Sequence, residues 1–307
     1  MRTVFMGTPD FSVETLKELI ASEHEVLAVV TQPDKPKGRS DKLIASPVKE
    51  CAVENGIPVL QPERARDAEF IEEIRKLAPD VIVVVAFGQI LSKELLELPK
   101  YGCVNVHASL LPKYRGAAPI QQAVIDGCEY TGVTTMQMGE GLDTGDILLV
   151  DKVKLEAKET GGSLFDRLSP VGAKLLIKTL EGLEKGEITP VKQDESEATY
   201  VHMIKKSQGL IDFKKSAKEL DCLIRGMNPW PSAFTHLDGK MLKIWDADVV
   251  SASGTPGTVI DTDKNSFTVA CGEGALKVSE VQLEGKKRMQ SSVFMNGNPM
   301  EIGKVLG

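Results

Sequence analysis

Paired cysteines, paired histidines and long apolar runs are what this sequence has little of, and each shortage removes a class of protein. The five cysteines (Cys51, Cys103, Cys128, Cys222 and Cys271) are odd in number, widely spaced and free of any C-x-x-C, which argues against a disulfide framework and a cysteine zinc site. The four histidines (His24, His107, His202 and His236) form no H-x-x-x-H pair, so no metal is expected. The longest apolar run, Val81–Phe87, falls far short of the roughly 20 residues a membrane span needs. The N-terminus meets Gly7 too soon for a signal peptide, and a cytoplasmic protein with reduced thiols is the expectation. No G-x-S-x-G elbow is present, Ser109 before Leu-Leu-Pro lacks that setting, and Met6-Gly7-Thr8-Pro9-Asp10 lacks the further glycines of a dinucleotide fingerprint. Excess positive charge is missing as well. With 37 Lys and Arg against 44 Asp and Glu, the net charge of −7 argues against nucleic-acid binding by bulk charge.

What remains is a globular chain of 307 residues, 42% hydrophobic and 26% charged, long enough for about two domains. The first part alternates buried strand runs (Thr3–Met6, Val26–Thr31, Val81–Ala86, Cys103–His107) with helix-period segments at Phe11–Ala21, Pro47–Asn55, Asp67–Leu77 and Pro119–Asp126. Unalternating Val81-Ile82-Val83-Val84-Val85 reads as a parallel strand covered on both faces, and the whole pattern predicts an α/β, Rossmann-like, open and mostly parallel sheet. Two further strands, Thr131–Met138 and Asp146–Leu155, flank a glycine-bearing turn, and a long helix from Ser163 closes a domain expected over residues 1–187. Residues 188–207 are polar and aperiodic, which predicts a linker. Short strand runs beyond it predict a small, OB-like β-barrel in a domain of residues 208–307. The acidity is uneven. Up to Ser207 the chain carries 25 basic and 32 acidic residues, and after it 12 of each.

Asn105 and His107 are two apart on a strand and so project from the same face, at the carboxyl end where open α/β sheets bind their ligands. Asp143 lies in a turn with glycines at 139, 141 and 145, which let backbone approach a ligand closely. An amide, an imidazole and a carboxylate on neighbouring strand ends suit acyl-type chemistry: the amide stabilises an oxyanion, the imidazole moves protons near neutral pH and the carboxylate orients it. A strand-end histidine and a turn-capping aspartate with purely structural duties would show the same residues.

The stretch Asn105-Val106-His107-Ala108-Ser109-Leu110-Leu111-Pro112-Lys113-Tyr114-Arg115-Gly116-Ala117-Ala118-Pro119, followed by Gly141-Leu142-Asp143-Thr144-Gly145, resembles the signature of the folate-dependent formyltransferases. The start Phe5–Phe11, the loop Gln32–Arg39, Arg115–Gln121 and Asn228-Pro229-Trp230-Pro231 are similar to the members of that family that act on methionyl initiator tRNA. Gln122 departs from the pattern, where the family favours Trp. The resemblance implies the formyltransferase fold, and catalysis by Asn105, His107 and Asp143. It implies transfer of the formyl group of 10-formyltetrahydrofolate to the α-amine of methionyl initiator tRNA, giving N-formylmethionyl-tRNA for translation initiation.

By the same resemblance the folate is expected against Phe87-Gly88-Gln89-Ile90-Leu91, Ser109-Leu110-Leu111-Pro112 and Gly139-Glu140-Gly141-Leu142. The tRNA is expected to meet Lys35, Lys37, Arg39 and Lys42 of one basic loop, with Lys205 and Lys206 beyond the first domain. Local fields would then outweigh the net charge. Two alternatives stay open: a formyltransferase acting on a sugar-nucleotide amine, and a non-catalytic RNA-binding protein with a barrel module.

Overall fold

The computed structural model describes residues 1–36 and 43–307, so Lys37, Arg39 and Lys42 lie outside the described residues. The chain forms two compact units. The first comprises Met1–Gly116, Tyr130–Lys154 and Phe165–Val201, and the second Ala117–Glu129, Leu155–Leu164 and His202–Gly307.

The first unit begins with β1 (Arg2–Gly7), α1 (Phe11–Ala21) and β2 (Glu25–Val30), a βαβ unit whose helix buries Leu16 and Leu19. The short strands β3 (Lys35–Pro36) and β4 (Leu43–Ile44) pair antiparallel and precede α2 (Pro47–Glu54), which Ser46 caps by accepting from the Lys49 amide. Then come β5 (Val59–Leu60), α3 (Ala68–Leu77), β6 (Val81–Val85), α4 (Lys93–Glu97), β7 (Cys103–His107) and a two-residue strand, β8 (Arg115–Gly116). The chain makes α5 (Pro119–Ile125) in the second unit before returning with β9 (Tyr130–Gln137) and β10 (Ile147–Lys154). The long helix α6 (Gly161–Lys185) follows, and β11 (Tyr200–Val201) pairs with β8 in parallel.

The seven-stranded sheet runs β10-β9-β7-β6-β1-β2-β5. It is parallel from β5 to β7, while β9 and β10 run antiparallel to their neighbours. Every residue of β6 is buried, as its unbroken β-branched run requires. The sequence order reverses at β1, with β2 on one side and β6 on the other, which makes the carboxyl ends of β1, β6 and β7 the place where such sheets bind ligands.

Two differences from the sequence expectation concern the boundary. Residues 188–201 of the expected linker belong to the first unit, where Val191 bridges Ile147 and Thr199 donates its amide to the Pro112 carbonyl. Residues 117–129 and 155–164, inside the expected 1–187 domain, belong to the second unit. The reason is packing: α5 lies against α7 (Ala217–Gly226), and Gly162 donates its amide to the Asn228 carbonyl. Gln122 donates its side-chain amide to Asp126 one helical turn on.

After α7 the second unit forms β12 (Ala233–Leu237), β13 (Lys240–Val250), β14 (Val259–Thr262), β15 (Phe267–Ala270), β16 (Ala275–Leu283), β17 (Met289–Gln290) and α8 (Ser291–Met295). Its sheet is antiparallel, in the order β12-β13-β16-β15-β14, with β17 beside β16. The final residues lie between the two end strands. Leu306 donates to Gly257 and Val259 to Lys304 on the β14 side, and Gly307 donates to His236 of β12. This closes the sheet in the manner of a small barrel around Leu242, Ile244, Val259, Phe267, Val269 and Val278.

Candidate active site

β7 ends on the residue where chemistry was expected. Along it Val104 and Val106 alternate with Asn105 and His107, so the two polar side chains share one face. Both are buried, at 8% and 6% exposure. Burial of polar groups demands partners or a ligand. For His107 the partners are visible. Its Nε2 lies 2.9 Å from the Tyr114 carbonyl, and its Nδ1 faces Asp143 Oδ2 at 3.7 Å. A carbonyl only accepts, so Nε2 carries a proton and Nδ1 is the nitrogen free to exchange one. Among the described residues no side-chain hydrogen-bond partner is recorded for Asn105, whose amide is therefore available to a ligand.

Asp143 is brought to His107 by the turn between β9 and β10. It adopts φ +52°, the left-handed region that is uncommon outside glycine. The turn is closed tightly: a Cβ on Gly145 would stand 1.6 Å from the Gln137 carbonyl oxygen, so only glycine fits there. The Gly116 amide donates to Asp143 Oδ2 at 2.7 Å, a charge-assisted bond that holds the carboxylate in place.

The three segments expected to meet folate are divided by the structure. Phe87 and Leu91 are buried in the hydrophobic core with Val84 and Leu95, so their side chains pack the protein interior. Gly88 and Ile90 are exposed between them, Ile90 at 83%. The Gln89 side chain is tied to backbone, accepting from the Ala65 amide and donating to the Pro62 carbonyl. Ser109 is buried, with its hydroxyl donating to the Lys113 carbonyl, and Leu111 is buried beside it, while Leu110 and Pro112 are half-buried. Gly139, Glu140, Gly141 and Leu142 are exposed, Leu142 at 62%. Exposed Ile90 and Leu142 offer apolar surface of the kind that suits a flat, largely apolar ligand.

Of the expected tRNA contacts, Lys35 is exposed and donates to Gln32 Oε1, while Gln32 donates from Nε2 to the Phe87 carbonyl. The loop is rooted by Asp34, which accepts from Lys49 and Gln61. Those two bonds hold the Asp34 carboxyl below the usual carboxylate range. Lys205 and Lys206 are exposed in the second unit. No cluster of metal-ligating side chains occurs among the described residues, and no described helix is long and apolar enough to cross a membrane.

One functional group escaped the sequence reading. Arg115, quoted there only as part of a motif, is fully buried and holds Glu195, Tyr200 and Gln193.

Two family models match the chain, one in its N-terminal and one in its C-terminal part. A family model described as formyl transferase matches residues 1–180, and one described as formyl transferase, C-terminal domain, matches residues 203–299. A methionyl-tRNA formyltransferase of Lachnospira eligens is 69% identical, covering 100% of both chains. One of Agathobacter rectalis is 56% identical over 99% of this chain and 98% of its own. In fold, the chain is similar to an N-formyltransferase from Helicobacter canadensis solved with folinic acid and dTDP-3-aminofucose. The TM-score is 0.66 at 19% identity, covering 90% of this chain and 98% of that one.

Proposed function

We propose, for a chain that belongs to the formyl transferase family in both its N-terminal and C-terminal parts, the activity of a methionyl-tRNA formyltransferase. It transfers the formyl group of 10-formyltetrahydrofolate to the α-amine of methionyl initiator tRNA in the cytoplasm. The observation that carries this reading is the full-length match at 69% identity to a relative of that name. It favours tRNA over a sugar nucleotide as acceptor, because relatives of that name match the whole chain at 56–69% identity.

The folate supplies a formyl carbon when bound, and Asn105, His107 and Asp143 of the first unit supply the catalysis. The methionyl amine forms the new C–N bond, the bond to the folate nitrogen breaks, and one proton passes from the amine to that nitrogen. Asn105 donates its amide to the oxygen that becomes negative as the amine adds. His107 takes and returns the proton through Nδ1, since Nε2 is committed to the Tyr114 carbonyl. Asp143 stabilises the imidazolium that forms. The α-amine needs little activation, because its ordinary pKa of about 7.7–8.0 leaves much of it neutral. The folate lies against the exposed parts of segments 87–91, 109–112 and 139–142. Lys35, Lys37, Arg39 and Lys42 grip the tRNA together with Lys205 and Lys206, with the 208–307 domain as a further docking body.

A formylation assay tests this reading by offering methionyl-tRNA, free methionine and amino sugars side by side with 10-formyltetrahydrofolate. Transfer to methionyl-tRNA in strong preference is expected. Preference for an amino sugar, or no transfer at all, overturns the reading.

A further inference from the structure

Arg115 is the largest fully buried side chain among the described residues, and nothing in the chemistry above uses it. Burying a guanidinium is costly unless its donors are matched. Here they are. Nη1 and Nη2 meet the two carboxylate oxygens of Glu195 at 2.9 and 2.7 Å, Nη1 also reaches the Tyr200 hydroxyl at 2.8 Å, and Nε donates to Gln193 Oε1 at 3.0 Å. All three partners come from residues 193–200, within the stretch whose composition reads as a linker.

Gln193 carries the connection onward. Its Nε2 donates to the carbonyls of Asp143 and Gly145, both at 2.7 Å, and so spans the turn that presents the Asp143 carboxylate. A guanidinium only donates and a carbonyl only accepts, so the Gln193 amide has a single permitted orientation. The residue after Arg115 acts on the same turn from the other side, because the Gly116 amide holds Asp143 Oδ2. Asp143 is thus fixed at its main chain through Arg115 and Gln193, and at its carboxylate through Gly116. Its left-handed backbone needs such fixing, since that conformation costs a non-glycine residue energy that its surroundings must offset.

We propose that Gln193 and Arg115 are positioning residues for proton transfer, locking the Asp143 turn so that its carboxylate stays opposite His107 Nδ1. The inference rests on the assignment of Asp143 and His107 to catalysis. It makes residues 193–200 a strap that supports the active site.

Gln193→Glu is the informative substitution. It keeps the size of the side chain and the acceptor for Arg115, but it loses both donors and sets a carboxylate against two carbonyl oxygens. In the formylation assay kcat is expected to fall about 10- to 100-fold, with KM for folate and for methionyl-tRNA within about twofold of the parent. Gln193→Ala, which introduces no charge, should lose kcat in the same direction. In an Asp143→Asn background it should change kcat by less than about twofold, because the carboxylate it positions is already gone. A strap that only holds the fold together gives the other pattern: a lower melting temperature for Gln193→Glu and Gln193→Ala, with kcat of the folded enzyme unchanged. That pattern overturns the proposal. Asp143→Asn alone separates the two levels. If it keeps parental kcat, the catalytic assignment fails and the inference with it; if it collapses while Gln193→Glu stays at the parental rate, the positioning role alone fails.

Discussion

His107 donates a hydrogen bond from Nε2 to the Tyr114 carbonyl at 2.9 Å, and this single bond leaves Nδ1 as the ring nitrogen free to exchange a proton. The remaining nitrogen faces Asp143 at 3.7 Å. His107→Ala and Asp143→Ala are therefore expected to lower kcat by about 10²–10⁴, the usual range for losing a positioned proton carrier, while tRNA affinity is retained. Steady-state kinetics with filter binding checks both halves, and near-parental turnover in either variant would sink the assignment.

Asn105 tests the other half of the reaction. Asn105→Ala removes a donor aimed at developing negative charge, for which the expected loss is about 10²–10³ in kcat. Asn105→Asp should be at least as damaging, because a carboxylate repels the oxygen that the amide stabilises. Parallel rises in KM with kcat unchanged would instead make Asn105 a ground-state binding residue.

Gly116 is constrained twice, by φ +110° and by the Val201 carbonyl oxygen, which would stand 2.3 Å from a Cβ. Gly116→Ala is expected to cost roughly 1–3 kcal/mol of stability from backbone strain. It should also lower kcat, since the displaced amide holds the Asp143 carboxylate. Thermal melts and kinetics on the same preparation check the pair of effects; loss of one without the other would separate strain from alignment.

Asp34 predicts a pH dependence. Its carboxyl is held below the ordinary value of 3.8, first by the Lys49 ammonium and then by the Gln61 amide. A carboxyl with a depressed folded pKa contributes stability that is present above its unfolded value and lost as pH falls through the folded one. Lys49→Met should therefore make the melting temperature less dependent on pH below about pH 4, the range of an ordinary aspartate. Parallel curves for parent and variant would show that the Lys49 pair contributes nothing there.

The proposed tRNA contacts are cations, and binding through them should depend on salt. Arg39→Ala is expected to raise KM for methionyl-tRNA while leaving folate affinity nearly unchanged. Lys205→Ala with Lys206→Ala should weaken tRNA binding and reduce the slope of log K against log salt by about 1–2. Equal losses for both substrates would place these cations in the active site itself.

Strands covered on both faces were legible in the sequence, because a parallel core strand such as Val81–Val85 leaves an unbroken β-branched run. The sequence also placed His107 and Asp143 together, on chemistry and resemblance, and they do meet. β12 was not legible. Its buried face is Ala233, Thr235 and Leu237, of which only Leu237 is a large apolar residue, while Phe234 takes the less buried side and hides the alternation. The strap at 193–200 left no period at all, since side-chain bonds from Arg115 and the Thr199 contacts to 112–115 hold it. Such pairings join residues far apart in the chain, and a local pattern cannot register them.

β6 lies between β1 and β7, so one edge of its Val-Ile-Val-Val-Val run waits for a strand far upstream and the other for a strand made later. Until both arrive, the chain exposes an uncharged, proline-free segment of high β-propensity, the kind that templates cross-β aggregation. Parallel pairing over long sequence separation is also slow. The strand that makes the centre of the sheet dependable once folded is thus also a segment whose exposure before folding favours aggregation.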